Sequence, residues 1–334
     1  MVSADLGMER ALAAAALIGV DWGSTGLRVF LIDVHGLVLV ARSSADGAST
    51  LSGTAEFQAA LDRLAGDWLS ARPNLPVVGC GMVGSQHGWQ QVPYLRCPAD
   101  PAQLGAALSA VGGARLQIVP GVQYVPDDGA PDLMRGEETQ IVGALQVQSD
   151  LTTRSCIVMP GTHSKWVQIE DGRIGRFATH MTGELFAVLR QHSVLGRTMP
   201  ARQLQADMAS FTAGVDAARN AAHLGLGHQL FAVRSLVLTE KMSAAGAADY
   251  LSGLLIGHEL QAGLAWRRAL QLDTSALALV GEPALCQLYG QALTRLGARA
   301  DFMLPNTAPS GLWRIASAAG LLRSPAASIL ESTR

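Results

Sequence analysis

The feature that most constrains this chain is the stretch I-G-V-D-W-G-S-T-G-L-R-V-F-L-I-D at residues 18–33. Leu17 with the β-branched Ile18 and Val20 forms an apolar run that ends at Asp21. Gly23, Ser24, Thr25 and Gly26 follow, and then Leu27, Val29 and Leu31 alternate with Arg28, Phe30 and Ile32. This spacing predicts two strands joined by a tight turn. Glycines in such a turn let the backbone approach a ligand, and its hydroxyls and free N–H groups form a concavity suited to phosphate oxygens. Asp21 would repel a phosphate directly, so it is expected to act through a hydrated Mg²⁺, which prefers one or two carboxylates plus substrate oxygens. On this stretch alone, an ordinary hairpin with a solvated Asp21 stays open.

The length of 334 residues allows two domains, and 49% hydrophobic with 16% charged residues describes packed globular units rather than disorder. A net charge of −2 without a long Lys/Arg run offers no diffuse attraction to nucleic acid or to a membrane surface. Cys80, Cys97, Cys156 and Cys286 contain no C-x-x-C pair, which argues against a zinc ribbon or dithiol centre and for reduced core thiols. Arg10 followed by A-L-A-A-A-A-L-I-G-V resembles a signal peptide, but Asp5 and Glu9 occupy its would-be basic part and the run flows into the Asp21 strand. A cytoplasmic protein is expected. No H-E-x-x-H, G-x-S-x-G or G-x-x-x-x-G-K-[ST] motif occurs, which disfavours a metalloprotease, an esterase and a P-loop NTPase.

Further along, residues 33–36 make a turn and 37–41 a third strand, a helix runs from Glu56 to Pro73, and 77–82 form a buried strand. Gly79-x-Gly81-x-x-Gly84 satisfies the dinucleotide fingerprint literally, yet Gly88, Pro93 and Pro98 forbid the helix that would hold a pyrophosphate. Ser85, Gln86, His87 and Trp89 instead suit a polar substrate pocket with an aromatic wall, or else a surface loop with Trp89 plugging the core. Residues 127–132 read as a loop. Gly136, Glu137 and Glu138 open an amphipathic helix, where acids also suit the positive end of the helix dipole. Residues 157–159 form a strand ending in P-G-T-H-S-K at 160–165, and a hairpin turns at Asp171-Gly172. Strand, Gly/Thr/Ser turn, strand thus occurs twice, about 140 residues apart, as a repeat of pattern. Helical spacing follows over 206–224, 245–269, 283–296 and 311–322, and the strand 277–280 ends in Gly281-Glu282-Pro283, placing a glycine and a helix start where an adenine or ribose packs.

With these motifs in order, the chain resembles the sugar kinase, heat-shock ATPase and actin superfamily. D-W-G-S-T-G-L-R at 21–28 is similar to its first phosphate motif, Gly136-Glu137 to the Gly-Asp that carries the catalytic base, Gly161-Thr162 to the second phosphate turn, and Gly281 falls where the adenosine motif belongs. G-V-D-W-G-S-T-G-L-R, G-M-V-G-S-x-x-G-W, M-R-G-E-E-T-Q and P-G-T-H-S-K-W together resemble the 2-dehydro-3-deoxygalactonokinase family over almost the whole chain. The resemblance implies an α/β, two-lobed actin-like ATPase (ribonuclease H-like) fold, with mixed sheets flanked by helices and nucleotide in the interlobe cleft. A division into residues 1–135 and 136–334 is expected. It further implies ATP and Mg²⁺ as cofactors and γ-phosphoryl transfer to the terminal hydroxyl of 2-dehydro-3-deoxy-D-galactonate.

On this reading Glu137 is the base, in place of the family's more common Asp. Asp21 orients the metal, and Gly23, Ser24, Thr25, Arg28, Gly161, Thr162, Lys165 and Gly281 meet the nucleotide. Arg135 can take the sugar-acid carboxylate in bidentate fashion, with Ser85, Gln86 and Trp89 against its hydroxyl-rich body. The partners expected are ATP and a small sugar acid, with neither nucleic acid nor membrane; homo-oligomer formation stays open. Three rivals remain: an actin-like or chaperone-like ATPase without sugar, a nucleotide or sugar sensor, and a kinase for another sugar or keto-deoxy acid.

Overall fold

The computed structural model describes residues 2–201 and 205–322. They form two compact units. One takes the described residues through Thr153, with Ile169–Arg176 and those from Asn306 onward; the other takes Arg154–Gln168 and Phe177–Pro305. This differs from a boundary after residue 135, and the reason is a long-range backbone contact. The helix Glu137–Val147 lies against the helix Ala308–Ala318 so closely that a Cβ at Gly143 would stand 2.0 Å from the Thr307 carbonyl oxygen, and one at Gly311 1.8 Å from that of Thr139. The Thr307 hydroxyl also donates to the Gln140 carbonyl at 2.6 Å. Both helices therefore belong to the first unit.

That unit is built on strands β1 (Ala15–Trp22), β2 (Leu27–Asp33), β3 (Val38–Ser44), β4 (Val77–Gly81) and β5 (Leu116–Ile118), in the order β3-β2-β1-β4-β5, with Ser109–Ala110 at the edge beside β5. β1, β2 and β3 pair antiparallel, while β4 and β5 run parallel to β1. Side chains alternate between faces. Ile18, Val20 and Trp22 with Leu27, Val29 and Leu31 share one face and pack on Phe57, Leu61 and Trp68 of the helix Gly53–Ala71. Gly19 faces the other way, where its missing side chain admits Leu312 of the helix Ala308–Ala318. That second helix explains why Phe30 and Ile32 are buried despite alternating with a buried set. A small sheet of Tyr94–Arg96, Gly121–Tyr124 and Asp132–Met134 adds structure that the hydrophobic spacing does not announce.

In the second sheet β6 (Arg154–Met159), β7 (Ser164–Glu170), β8 (Arg173–His180), β9 (Ala276–Val280) and β10 (Phe302–Leu304), all in the second unit except the hairpin residues 169–176, take the order β8-β7-β6-β9-β10. β6, β9 and β10 are parallel. β7 and β8 follow after four and two residues, connections too short for anything but antiparallel neighbours. Position for position this is the order of the first sheet, so the repeated turn pattern is a repeat of architecture. The fold class expected is the one found: α/β, with mixed sheets of ribonuclease H-like order flanked by helices. Helices Met208–Asn220 and Ala247–Ala269 meet backbone to backbone, since a Cβ at Gly214 would lie 2.2 Å from the Tyr250 carbonyl oxygen. Helices Thr182–His192 and Gly225–Leu238 add to those the spacing predicts. All four cysteines are free thiols, and no helix among the described residues is long and apolar enough to cross a membrane.

Candidate active site

In the first unit, Asp21 lies one residue from the end of β1, on the face opposite the Phe57 core, and is 6% exposed. Its Oδ2 receives Arg28 Nη2 at 2.7 Å and Asn306 Nδ2 at 3.2 Å, while Oδ1 accepts from no described residue. The turn beyond it is tight: Gly23 N donates to the Gly26 carbonyl at 2.9 Å. Residues 47–50 brace it from outside, with Ala48 N on the Gly23 carbonyl and Ser49 N on that of Ser24. Gly47 is required there, because a Cβ would stand 2.2 Å from the Ser24 carbonyl oxygen. Ser24 and Thr25 project exposed, and their hydroxyls have no partner among the described residues. A rigid turn with free hydroxyls beside a half-engaged carboxylate is what a metal-bound phosphate needs. Asn306 was invisible to motif reading, since it meets Asp21 only through the fold.

Gly136 enters the helix Glu137–Val147 with φ 103°, a conformation that favours glycine, and a Cβ there would stand 3.1 Å from the Cα of Gly81. Glu137 is half-buried, and its Oε2 accepts the Arg135 N–H at 3.0 Å. Glu138 turns into the core with 0% exposure; Oε2 accepts the Gly136 N–H at 2.6 Å and Oε1 the Thr139 hydroxyl at 3.0 Å. Burial, and then the Glu137 charge, push its carboxyl up to about 7 from 4.5. Burial, then Asp21 and Glu138, likewise hold the Cys80 thiol well above its usual range.

The Glu138 shift has a stability consequence. A carboxyl raised on folding contributes stability that is fully present below about 4.5 and lost as pH rises through about 7. Parent and Glu138→Gln should therefore diverge over that window, the parent losing up to roughly 3 kcal/mol relative to the variant. Urea midpoints at pH 5 and pH 8 check this, and parallel pH profiles would refute it.

The expected sugar-pocket residues divide. Ser85 is half-buried and Gln86 exposed, and neither side chain has a partner among the described residues. Trp89, expected against substrate, is instead buried: its ring stacks on Phe57 at 6.0 Å and meets Trp22 edge-on at 6.0 Å. A large ring gains more from this aromatic cluster than from a wet wall, so the core-plugging alternative is the one found. Arg135 Nη2 donates to the Val92 carbonyl at 2.6 Å, and the guanidinium lies 4.3 Å over the Tyr94 ring. Its Nε and Nη1 are buried without a hydrogen-bond partner.

In the second unit the turn after β6 holds Gly161 and Thr162, the latter exposed with its hydroxyl free among the described residues. The helix Thr182–His192 starts against it: Glu184 N donates to the Thr162 carbonyl at 3.0 Å, and a Cβ at Gly183 would stand 2.5 Å from the Gly161 carbonyl oxygen. His163 and Glu184 pair side chain to side chain. Lys165 is buried, and its Nζ donates to the His163 carbonyl at 2.9 Å, so it braces the turn from beneath. Gly281 follows β9 with φ 148° beside the Pro160 carbonyl, and Glu282 caps the helix Pro283–Arg295 through the Leu285 N–H at 2.7 Å. A cavity of about 280 Å³ opens next to the turn, lined by Gly161 and Thr182 and walled by Phe186, Ile256, Leu285 and Leu288. Among the described residues no three His, Cys, Asp or Glu side chains converge as a metal cage.

Comparisons with known proteins identify the family. The profile of the 2-keto-3-deoxy-galactonokinase family matches residues 21–315. The chain is 37% identical to the 2-dehydro-3-deoxygalactonokinase of Escherichia coli, covering 91% of this chain and 98% of that protein. It is 38% identical to the probable 2-dehydro-3-deoxygalactonokinase of Rhizobium meliloti, over 83% and 89% of the two chains. A crystal structure of a Sinorhizobium meliloti protein assigned the same activity superposes with a TM-score of 0.78 at 34% identity, covering 90% of this chain and 98% of that one. With matches of this extent over nearly the whole of both chains, the chain belongs to the 2-keto-3-deoxy-galactonokinase family.

Proposed function

We propose that this protein transfers the γ-phosphoryl group of ATP to the terminal hydroxyl of 2-dehydro-3-deoxy-D-galactonate, giving the 6-phosphate and ADP. The observation that carries the reading is the pair of braced turns, Gly23–Gly26 and Gly161–Thr162, each with free hydroxyls at the end of the first hairpin of an equivalent sheet. Phosphoryl transfer depends on positioning and charge neutralisation more than on covalent chemistry. Ser24, Thr25, Gly161 and Thr162 hold phosphate oxygens, and Arg28 places its charge at the same strand end as Asp21. The 280 Å³ cavity takes the adenine and ribose against Phe186, Leu285 and Leu288. Gly281 orders the backbone beside it.

The free Oδ1 of Asp21 and the exposed turn hydroxyls fit a Mg²⁺ that keeps several waters, and that ion would neutralise charge on the phosphates. Glu137 takes the proton of the attacking hydroxyl. Its carboxylate is half-accessible and is oriented by the Arg135 N–H.

Arg135 receives the substrate carboxylate. Two of its N–H groups lie buried without an acceptor, an arrangement that costs ~1–3 kcal/mol each and that a bound carboxylate would relieve. Arg135→Ala should raise KM for the acid by the equivalent of ~1.5–3 kcal/mol and leave that for ATP nearly unchanged. Equal losses for both would move Arg135 to the phosphates. The function itself is tested by ADP release across a panel of sugars and sugar acids: release should depend on 2-dehydro-3-deoxy-D-galactonate, and preference for another acid would reassign the substrate.

A further inference from the structure

One buried carboxylate has no role in the reading above. Glu259, in the helix Ala247–Ala269, is 3% exposed, and no described cation pairs with it. Its Oε1 accepts Trp166 Nε1–H at 3.0 Å and its Oε2 accepts the Tyr289 hydroxyl at 2.5 Å. The Tyr289 oxygen lies 3.0 Å from Ser164 Oγ, which in turn lies 3.4 Å from the Gly161 N.

The carboxylate fixes the direction of this chain. The Tyr289 hydroxyl gives its single proton to Glu259 Oε2, so Ser164 must donate to Tyr289, which leaves Ser164 lone pairs to accept the Gly161 N–H. Burial, followed by Glu259, holds the Tyr289 phenol well above its usual range, so it stays a donor. Tyr289 also faces Thr182, the first residue of the helix that packs on the Gly161–Thr162 turn. Trp166 is locked in turn, because Gly263 leaves its ring only the space that a Cβ would fill at 2.1 Å. The chain therefore begins at a rigid point in the core and ends at the phosphate turn, with the Tyr289 ring walling the adjoining cavity.

We propose that Glu259 is a positioning residue for nucleotide: acting through Tyr289 and Ser164, it sets the conformation of the Gly161–Thr162 turn. This rests on the reading of that turn as a phosphate site. Ser164→Ala breaks the chain at the turn while leaving the Glu259–Tyr289 bond, and Tyr289→Phe breaks it one step deeper while keeping the cavity wall. Each should raise KM for ATP about five- to tenfold, the effect of one lost hydrogen bond, with KM for the sugar acid within about twofold.

Because both act through one chain, the double variant should be no worse for ATP than the poorer single variant. A merely structural role would lower the melting temperature and the active fraction without this selective, non-additive change in KM. Unchanged KM for ATP in both single variants, or effects that multiply in the double variant, would overturn the proposal. Thr162→Ala separates the two layers. If it raises KM for ATP while Ser164→Ala and Tyr289→Phe do not, the turn holds phosphate and the positioning chain is refuted. If Ser164→Ala and Tyr289→Phe raise it and Thr162→Ala does not, the chain stands and the Thr162 hydroxyl loses its role.

Discussion

Glu137→Gln is expected to bind ATP and the sugar acid yet lose roughly 10²–10⁴ in the rate of phosphoryl transfer, the span typical for removing a general base. The helix start separates the two neighbouring acids cleanly. Gly136, pressed on Gly81, swings the chain so that Glu137 is half-accessible at the first helical position. Glu138, one residue and about 100° further round, is sealed in the core on the Gly136 N–H and the Thr139 hydroxyl. As placed, Glu138 cannot meet a substrate; it holds the turn that presents Glu137. Glu138→Gln should thus remain within a few-fold of the parent, although its stability profile with pH changes. Single-turnover kinetics make the comparison, so that slow product release cannot hide the chemical step. Inactive Glu138→Gln with active Glu137→Gln would move the base by one residue.

The second large effect is expected at Asp21. Asp21→Asn keeps the shape and the burial, but replaces the acceptor that holds Arg28 and Asn306 with a group that also donates. The charge facing the Gly23–Gly26 turn falls, and on the proposed reading the hold on a hydrated Mg²⁺ would fall with it. Loss of a fixed electrostatic contact of this kind costs roughly 10²–10³ in kcat. A Mg²⁺ titration of kcat in the folded variant is the measurement. Partial recovery at high Mg²⁺ agrees with a metal-orienting role, whereas near-normal turnover at ordinary Mg²⁺ would remove Asp21 from the site.

What the sequence made legible was what is local. A strand, a Gly/Ser/Thr turn and a strand are specified by neighbouring residues, so both turns and their flanking strands could be read, as could the Gly136 helix start. The division of the chain could not, because it depends on Gly143 meeting the backbone of residues 307–311 across more than 160 positions. Asn306 on Asp21 is hidden for the same reason. Trp89 misled because a Gly-rich segment suggests exposure, while its burial depends on Phe57 and Trp22 arriving from two other elements. Glu259 belongs to no sequence motif, and its bonds to Trp166 and Tyr289 exist only in the folded chain.

The central claim is transfer to a sugar-acid hydroxyl rather than to water, and phosphorus NMR of a single reaction tests it most directly. With ATP, Mg²⁺ and 2-dehydro-3-deoxy-D-galactonate, the account predicts loss of the γ-phosphate signal and growth of a phosphomonoester coupled to the terminal methylene protons, in step with ADP. Growth of inorganic phosphate in its place, at a rate indifferent to the acid, would contradict it.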